Sequence, residues 1–178
     1  FDYFYNGGGV AVGDINNDGL QDIFFVGNQV QNQLYLNQGD LQFENISKTS
    51  GIEIENKGWH TGVSMIDINA DGWLDIYVCR SGSADENGDM SNLLYINQKD
   101  NTFKESAKDL GLNDKRRSVQ AAFLDYDRDG DVDVFVINHI KNQSHLTKNT
   151  RQELTSNTLY RNDNGKFVDV SYEAEIGE

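Results

Sequence analysis

The chain has 178 residues, 37% of them apolar and 11% aromatic, and carries a formal charge of −14. Such a composition describes a globular chain long enough for a substantial core, and the acidic balance argues against nucleic acid, whose phosphates require a basic surface. No run of about 18 apolar residues is present to span a membrane as a helix, and a single cysteine, Cys79, rules out an internal disulfide.

In chain order, the first element is a lightly built strand over residues 9–13 (GVAVG), followed by an Asp-rich loop and a strongly apolar run, IFFV. Next come NQLYLN, a polar NQGD turn and a strand carrying Phe43. The same succession returns as VSMIDINADGWLDIYV with NLLYINQKD and Phe103, and as AAFLDYDRDGDVDVFV with NTLYRNDNG and Phe167. Each apolar run is short, β-branched and aromatic, as expected of a buried strand rather than a helix. Every repeat therefore predicts four short strands, and the loops recur at 53 and 58 residues. A four-stranded unit repeated at about 40–50 residues is the mark of a β-propeller blade. The expected fold is all-β: a partial propeller of about three antiparallel blades, at residues 1–57, 58–116 and 117–178, with the Asp-rich loops joining first strand to second. Known propellers close with about four to eight blades. The remaining blades are expected from the parent chain or from another chain, and the start at Phe1, without Met or an apolar leader, from a mature product or an excised piece.

Numbered from the first Asp, each loop places oxygen-bearing side chains at positions 1, 3, 5 and 9, with glycine at 6. These are Asp14, Asn16, Asp18 and Asp22; Asp67, Asn69, Asp71 and Asp75; and Asp125, Asp127, Asp129 and Asp133. Ca2+ takes about six to eight oxygens, and a short loop can curl alternate side chains onto it around a glycine bend. The carbonyl at position 7, from Leu20, Trp73 or Asp131, is a further expected ligand. Position 12 of an EF-hand would carry a closing carboxylate; here it is Phe25, Val78 or Val136. Of the 29 acidic residues, 11 lie in these loops, so about three Ca2+ would offset six of the charges.

With GVAVGDINNDGLQDI, NQLYLNQG and FENIS in view, the chain resembles the FG-GAP/VCBS repeat class, calcium-loop propellers that include the integrin α-subunit head. Its paired motifs are most similar to those of bacterial surface proteins related to cartilage acidic protein. The resemblance implies a secreted, cell-surface or periplasmic adhesion-type module. It departs from integrin blades where VGNQ, VCRS and VINH replace Gly-Ala-Pro, in a chain with no proline, so integrin partners are not carried over.

Propeller topology places the metal loops on one face with the third-to-fourth-strand turns. The opposite face receives the second-to-third-strand connections, which lengthen from repeat to repeat, and the links between blades. Trp59, His60, Arg80, Arg116, Arg117, His139 and His145 fall there by sequence, as do Lys141, Lys148 and Arg151. Variable loops on a constant scaffold are where recognition usually resides, so this face is the expected site for a protein or glycan ligand. No GxSxG, HExxH, P-loop or Rossmann pattern is present. The expected function is a calcium-stabilised, non-catalytic binding or scaffold module. The alternative is a domain of a polysaccharide-active enzyme, lyase-like, in which His60 or His139 would act as base beside Arg116.

Overall fold

Alternation decides which way each strand faces, and the blades stack accordingly. The computed structural model describes residues 7–28, 30–52, 58–83, 90–139 and 157–176. The first sheet contains β1 (Val10–Gly13), β2 (Asp22–Phe25), β3 (Gln33–Asn37) and β4 (Phe43–Asn45). The second contains β5 (Gly58–Ile66), β6 (Asp75–Ser83), β7 (Leu93–Asn97) and β8 (Phe103–Glu105). After a short helix, α1 (Ala107–Leu110), the third contains β9 (Ser118–Leu124), β10 (Asp133–Asn138), β11 (Thr158–Asn162) and β12 (Phe167–Asp169). Each sheet is an antiparallel meander with strands in sequence order. These are three open blades of a partial β-propeller.

The first strands gather on one side. Gly9 donates its N–H to Thr61 O at 2.8 Å, and the Thr61 hydroxyl donates to Ser118 O at 2.7 Å. Glycine is needed at this approach, since a Cβ on Gly62 would lie 2.4 Å from Val119 O. The first strands of the three blades thus meet along one crowded edge.

Side chains on alternate faces of β6 fill two separate cores. Ile76 and Val78 pack toward blade 1 against Phe24, Val26, Leu34 and Leu36. Tyr77 and Cys79 point the other way and join Leu112, Val134, Val136 and Phe167. That two-sided burial explains why β6 reads as a continuous apolar run, and it gives Cys79 a packing place that pushes its thiol pKa up.

Blade 1 shows the complementary case. Its β2 buries Phe24 but leaves Phe25 43% exposed, and Val10, Val12 and Phe43 are exposed on the same sheet. These positions match, repeat for repeat, the ones by which blade 2 covers blade 1: Val10 corresponds to Val63, Phe25 to Val78, Tyr35 to Tyr95 and Phe43 to Phe103.

The helix α1 is a departure from the strand-only reading. Glu105 Oε1 accepts the N–H of Ala107 at 2.9 Å, which starts the turn, and Gly111 at φ 90° ends it. Gly51 and Glu175 take left-handed φ at the corresponding points of the other blades, so the helix tightens a bend that all three share. Among the described residues no helix is long and apolar enough to cross a membrane.

Candidate metal loops and the opposite face

The three Asp-rich loops curl as their spacing demands. In the first, Asp14 accepts the N–H of Asp18 at 3.1 Å and of Gly19 at 2.8 Å, while Asp18 accepts that of Leu20 at 2.8 Å. In the second, Asp67 accepts from Asp71 at 2.9 Å and Gly72 at 2.8 Å, and Asp71 from Trp73 at 3.0 Å. In the third, Asp125 accepts from Gly130 at 3.3 Å and Asp129 from Asp131 at 3.1 Å. The bend needs two left-handed residues, glycine at position 6 and a second residue at position 4: Asn17, Ala70 or Arg128. A Cβ on Gly19, Gly72 or Gly130 would meet nothing within 4 Å. Glycine is required there by backbone angle rather than by space.

Position 9 plays a part that spacing alone did not reveal. Asp22, Asp75 and Asp133 are fully buried. One oxygen of each accepts the N–H of a third-strand asparagine, Asn37, Asn97 or Asn162, at 2.8 Å. The other accepts an N–H of its own loop, from Ile15 at 2.9 Å, Ile68 at 3.2 Å or Tyr126 at 2.7 Å. Each carboxylate oxygen has two lone pairs, so these side chains pin the blade and still have capacity toward a cation.

The donor set fits a hard divalent ion. Carboxylate oxygens of Asp125, Asp127 and Asp133 converge within 4.8 Å of one another. Beside them Asp131 Oδ1 is buried without a hydrogen-bond partner, and burial with the like charges of Asp129 and Asp133 pushes its carboxyl up to about 6. Burial likewise pushes Asp75 up to about 6, with Asp71 and Asp67 adding repulsion against two opposing backbone N–H groups. Such crowded carboxylates gain most from a cation among them. The second loop differs in one respect: the Lys99 ammonium, from the turn between β7 and β8, lies 3.2 Å from Asp71 Oδ2.

The opposite face requires a correction. Trp59, His60 and Arg80 are 7%, 0% and 6% exposed, so they form part of the interior instead of presenting to a ligand. His60 Nδ1 lies 2.6 Å from Asn32 Oδ1, and burial followed by the Arg80 charge lowers its pKa to about 3. Arg80 donates from Nη1 to Ser91 O at 3.0 Å. Arg116 joins Asp114 at 3.3 Å, Asp169 at 3.0 Å and the Thr158 hydroxyl, tying blade 2 to the outer strand of blade 3. Arg117 is half-buried and His139 exposed, joined by His139 N–H to Arg117 O at 2.8 Å. His145, Lys141, Lys148 and Arg151 lie outside the described residues.

The first asparagine of each NxLY signature also has a structural use. Oδ1 of Asn32, Asn92 and Asn157 accepts the N–H at the end of the second strand, from Gly27 at 3.0 Å, Arg80 at 2.8 Å and Asn138 at 3.0 Å. Its recurrence at one offset was the available signal; the partner lies across the sheet, where no local pattern points.

Comparison with known proteins agrees with this geometry. Cartilage acidic protein 1 of Xenopus tropicalis is 33% identical over 138 residues, which is 75% of this chain and 20% of that protein. The chain thus spans about a fifth of the length of that relative. A family model described as an FG-GAP-like repeat matches residues 14–78 and 82–136, each match beginning or ending at an Asp-rich loop or the strand behind it. A four-stranded blade built around such a loop, repeated three times and matched over more than half its residues, places this chain in the FG-GAP-like repeat family.

Proposed function

We propose that the chain is a calcium-stabilised, extracellular binding or scaffold module, holding one Ca2+ in each loop and a protein or glycan on the opposite face. The observation that carries the metal half is the convergence of Asp125, Asp127 and Asp133 beside the unpartnered Asp131 oxygen. The ion would supply positive charge. The side chains at positions 1, 3, 5 and 9, with the carbonyls of Leu20, Trp73 and Asp131, would hold it, leaving little room for a reacting water. Similarity to a protein named for cartilage, an extracellular matrix, supports the extracellular setting.

Calorimetric titration of chelator-stripped protein with Ca2+ tests this reading. Three binding events are expected, the third loop tightest because it carries five carboxylates. At a free concentration of about 100 Kd, each site adds about 2.7 kcal/mol to stability. Absence of binding heat together with an unchanged Tm in chelator overturns it.

For the ligand half, Arg117 and His139 offer a guanidinium and an imidazole contact for an anionic group. A double Arg117→Ala, His139→Ala variant is expected to lose affinity for a uronate or sulfated polysaccharide while keeping its Tm. Equal binding by the variant moves the site elsewhere. The lyase-like alternative gains nothing from His60 or Arg116, the first being buried and the second committed to Asp114 and Asp169.

The open face of blade 1 supports a partnership with a further blade of the same kind. Val10, Val12, Phe25 and Phe43 are exposed there at the positions that blade 2 uses to cover blade 1, and soluble monomers rarely leave such patches bare. Sedimentation of the isolated chain is the check: a cooperatively melting monomer that binds no apolar dye would overturn this partnership.

A further inference from the structure

The third-strand asparagines occupy equivalent places, yet one of them reaches across the blade boundary. Asn97 is 3% exposed and donates from Nδ2 to Leu74 O of its own loop at 3.1 Å and to Ile15 O of the first loop at 2.8 Å. Its N–H meets Asp75 Oδ1 at 2.8 Å, and its Oδ1 accepts the N–H of Lys99 at 2.8 Å. Asn37 and Asn162 donate to their own loops alone, at Gln21 O (3.0 Å) and Val132 O (3.3 Å).

A second bridge lies at the loop tips, where Asn17 Nδ2 donates to Gly72 O at 3.1 Å. The second loop has Ala70 at that position, which offers no side-chain donor to Gly130. Among the described residues, therefore, side-chain hydrogen bonds join the first loop to the second and none joins the second to the third.

From this asymmetry we infer that the first and second loops are one coupled unit, with Asn97 and Asn17 as positioning residues, while the third loop responds alone. The inference rests on the calcium reading for its effector. Ile15 stands between two side chains proposed to hold the first ion, Asp14 and Asn16, and Leu74 stands beside Asp75. Ordering Ile15 O fixes the Asn97 side-chain amide, which also holds Leu74 O of the second loop, while the backbone N–H of the same residue holds the Asp75 carboxylate. An ion in either loop thus lowers the ordering cost of the other, which is positive cooperativity by reciprocal linkage.

Trp73, at position 7 of the second loop, provides a site-specific readout, because the other tryptophan, Trp59, is buried on the opposite face. Tb3+ emission sensitised through tryptophan is titrated in the wild-type chain, in Asp18→Ala and in Asp129→Ala, each with and without Asn17→Ala. Ala70 already adopts φ 56° at the equivalent place, so Asn17→Ala is compatible with the fold where Asn97→Ala is not assured to be. Asp18→Ala is expected to weaken terbium binding at the second loop by about fivefold or more, Asp129→Ala to leave it unchanged, and Asn17→Ala to shrink the dependence. In metal-free protein, Asn17→Ala should speed hydrogen exchange over residues 71–75 and not over 129–133. A second loop indifferent to Asp18→Ala, or responding equally to Asp129→Ala, overturns the coupling. If no loop binds terbium or calcium, the metal reading fails, and the exchange comparison alone decides whether the loops are joined.

Discussion

The N–H of Asn97 sits 2.8 Å from Asp75 Oδ1, inside the protein and behind the Asp-rich loop. The same arrangement joins Asn37 to Asp22 and Asn162 to Asp133. Position 9 therefore has a duty in the blade that is separate from the proposed cation.

This ordering separates two variants in one loop. Asp75→Ala strands two backbone donors and is expected to cost about 3 kcal/mol with or without calcium. Asp71→Ala is expected to cost under about 1 kcal/mol in chelator but to abolish the calcium-dependent gain of its loop. Paired denaturant titrations check both, and equal behaviour of the two variants would show that position 9 has no separate structural duty.

Lys99 is already a cation on the second loop, 3.2 Å from Asp71. Calcium must displace or share with it, so Lys99→Gly is expected to tighten the second site several-fold and to leave the third unchanged. Glycine stands at the corresponding turn position in blade 1, Gly39, with the same left-handed backbone. Calorimetry reads the difference, and weaker binding in the variant would mean that the lysine helps to order the loop.

The pH response of stability should carry the mark of His60. Its folded pKa, about 3, lies below the ordinary 6.5, so the unfolded chain takes up a proton that the folded chain refuses. Stability from this group is intact above about 6.5 and is lost as pH falls toward 3, at up to about 1.4 kcal/mol per pH unit. His60→Gln is expected to flatten that acid limb relative to wild type. Parallel Tm curves for the two proteins would show that His60 does not titrate differently on folding.

Phe25 and Val78 hold equivalent positions in successive blades but are 43% and 0% exposed. In the isolated chain, Val78→Ala is expected to cost about 2 kcal/mol, whereas Phe25→Ala should cost under about 1 kcal/mol and reduce binding of an apolar dye. Once a further blade covers the face, the cost at Phe25 should rise to match that at Val78. A large cost at Phe25 in the isolated chain would mean that this face is already covered.

The strands, the loops and their repetition were legible in the sequence because each depends on residues a few places apart. Oxygen-bearing side chains at positions 1, 3 and 5, with a glycine able to take left-handed angles, describe a loop before any partner is known, and IFFV, IYVC and VFVI describe buried strands. What only the tertiary structure decided were relationships between distant residues. Trp59, His60 and Arg80 looked like surface residues of a binding face and are buried: His60 on β5 meets Asn32 of blade 1, and Arg80 on β6 meets Ser91. The asparagines of NxLYxN recur in the sequence without a stated partner, and the structure shows them satisfying backbone groups across the sheet. Of the third-strand asparagines it is Asn97 that bridges two blades, because burial leaves its amide no water to turn to and Ile15 O is the acceptor that blade packing brings within reach.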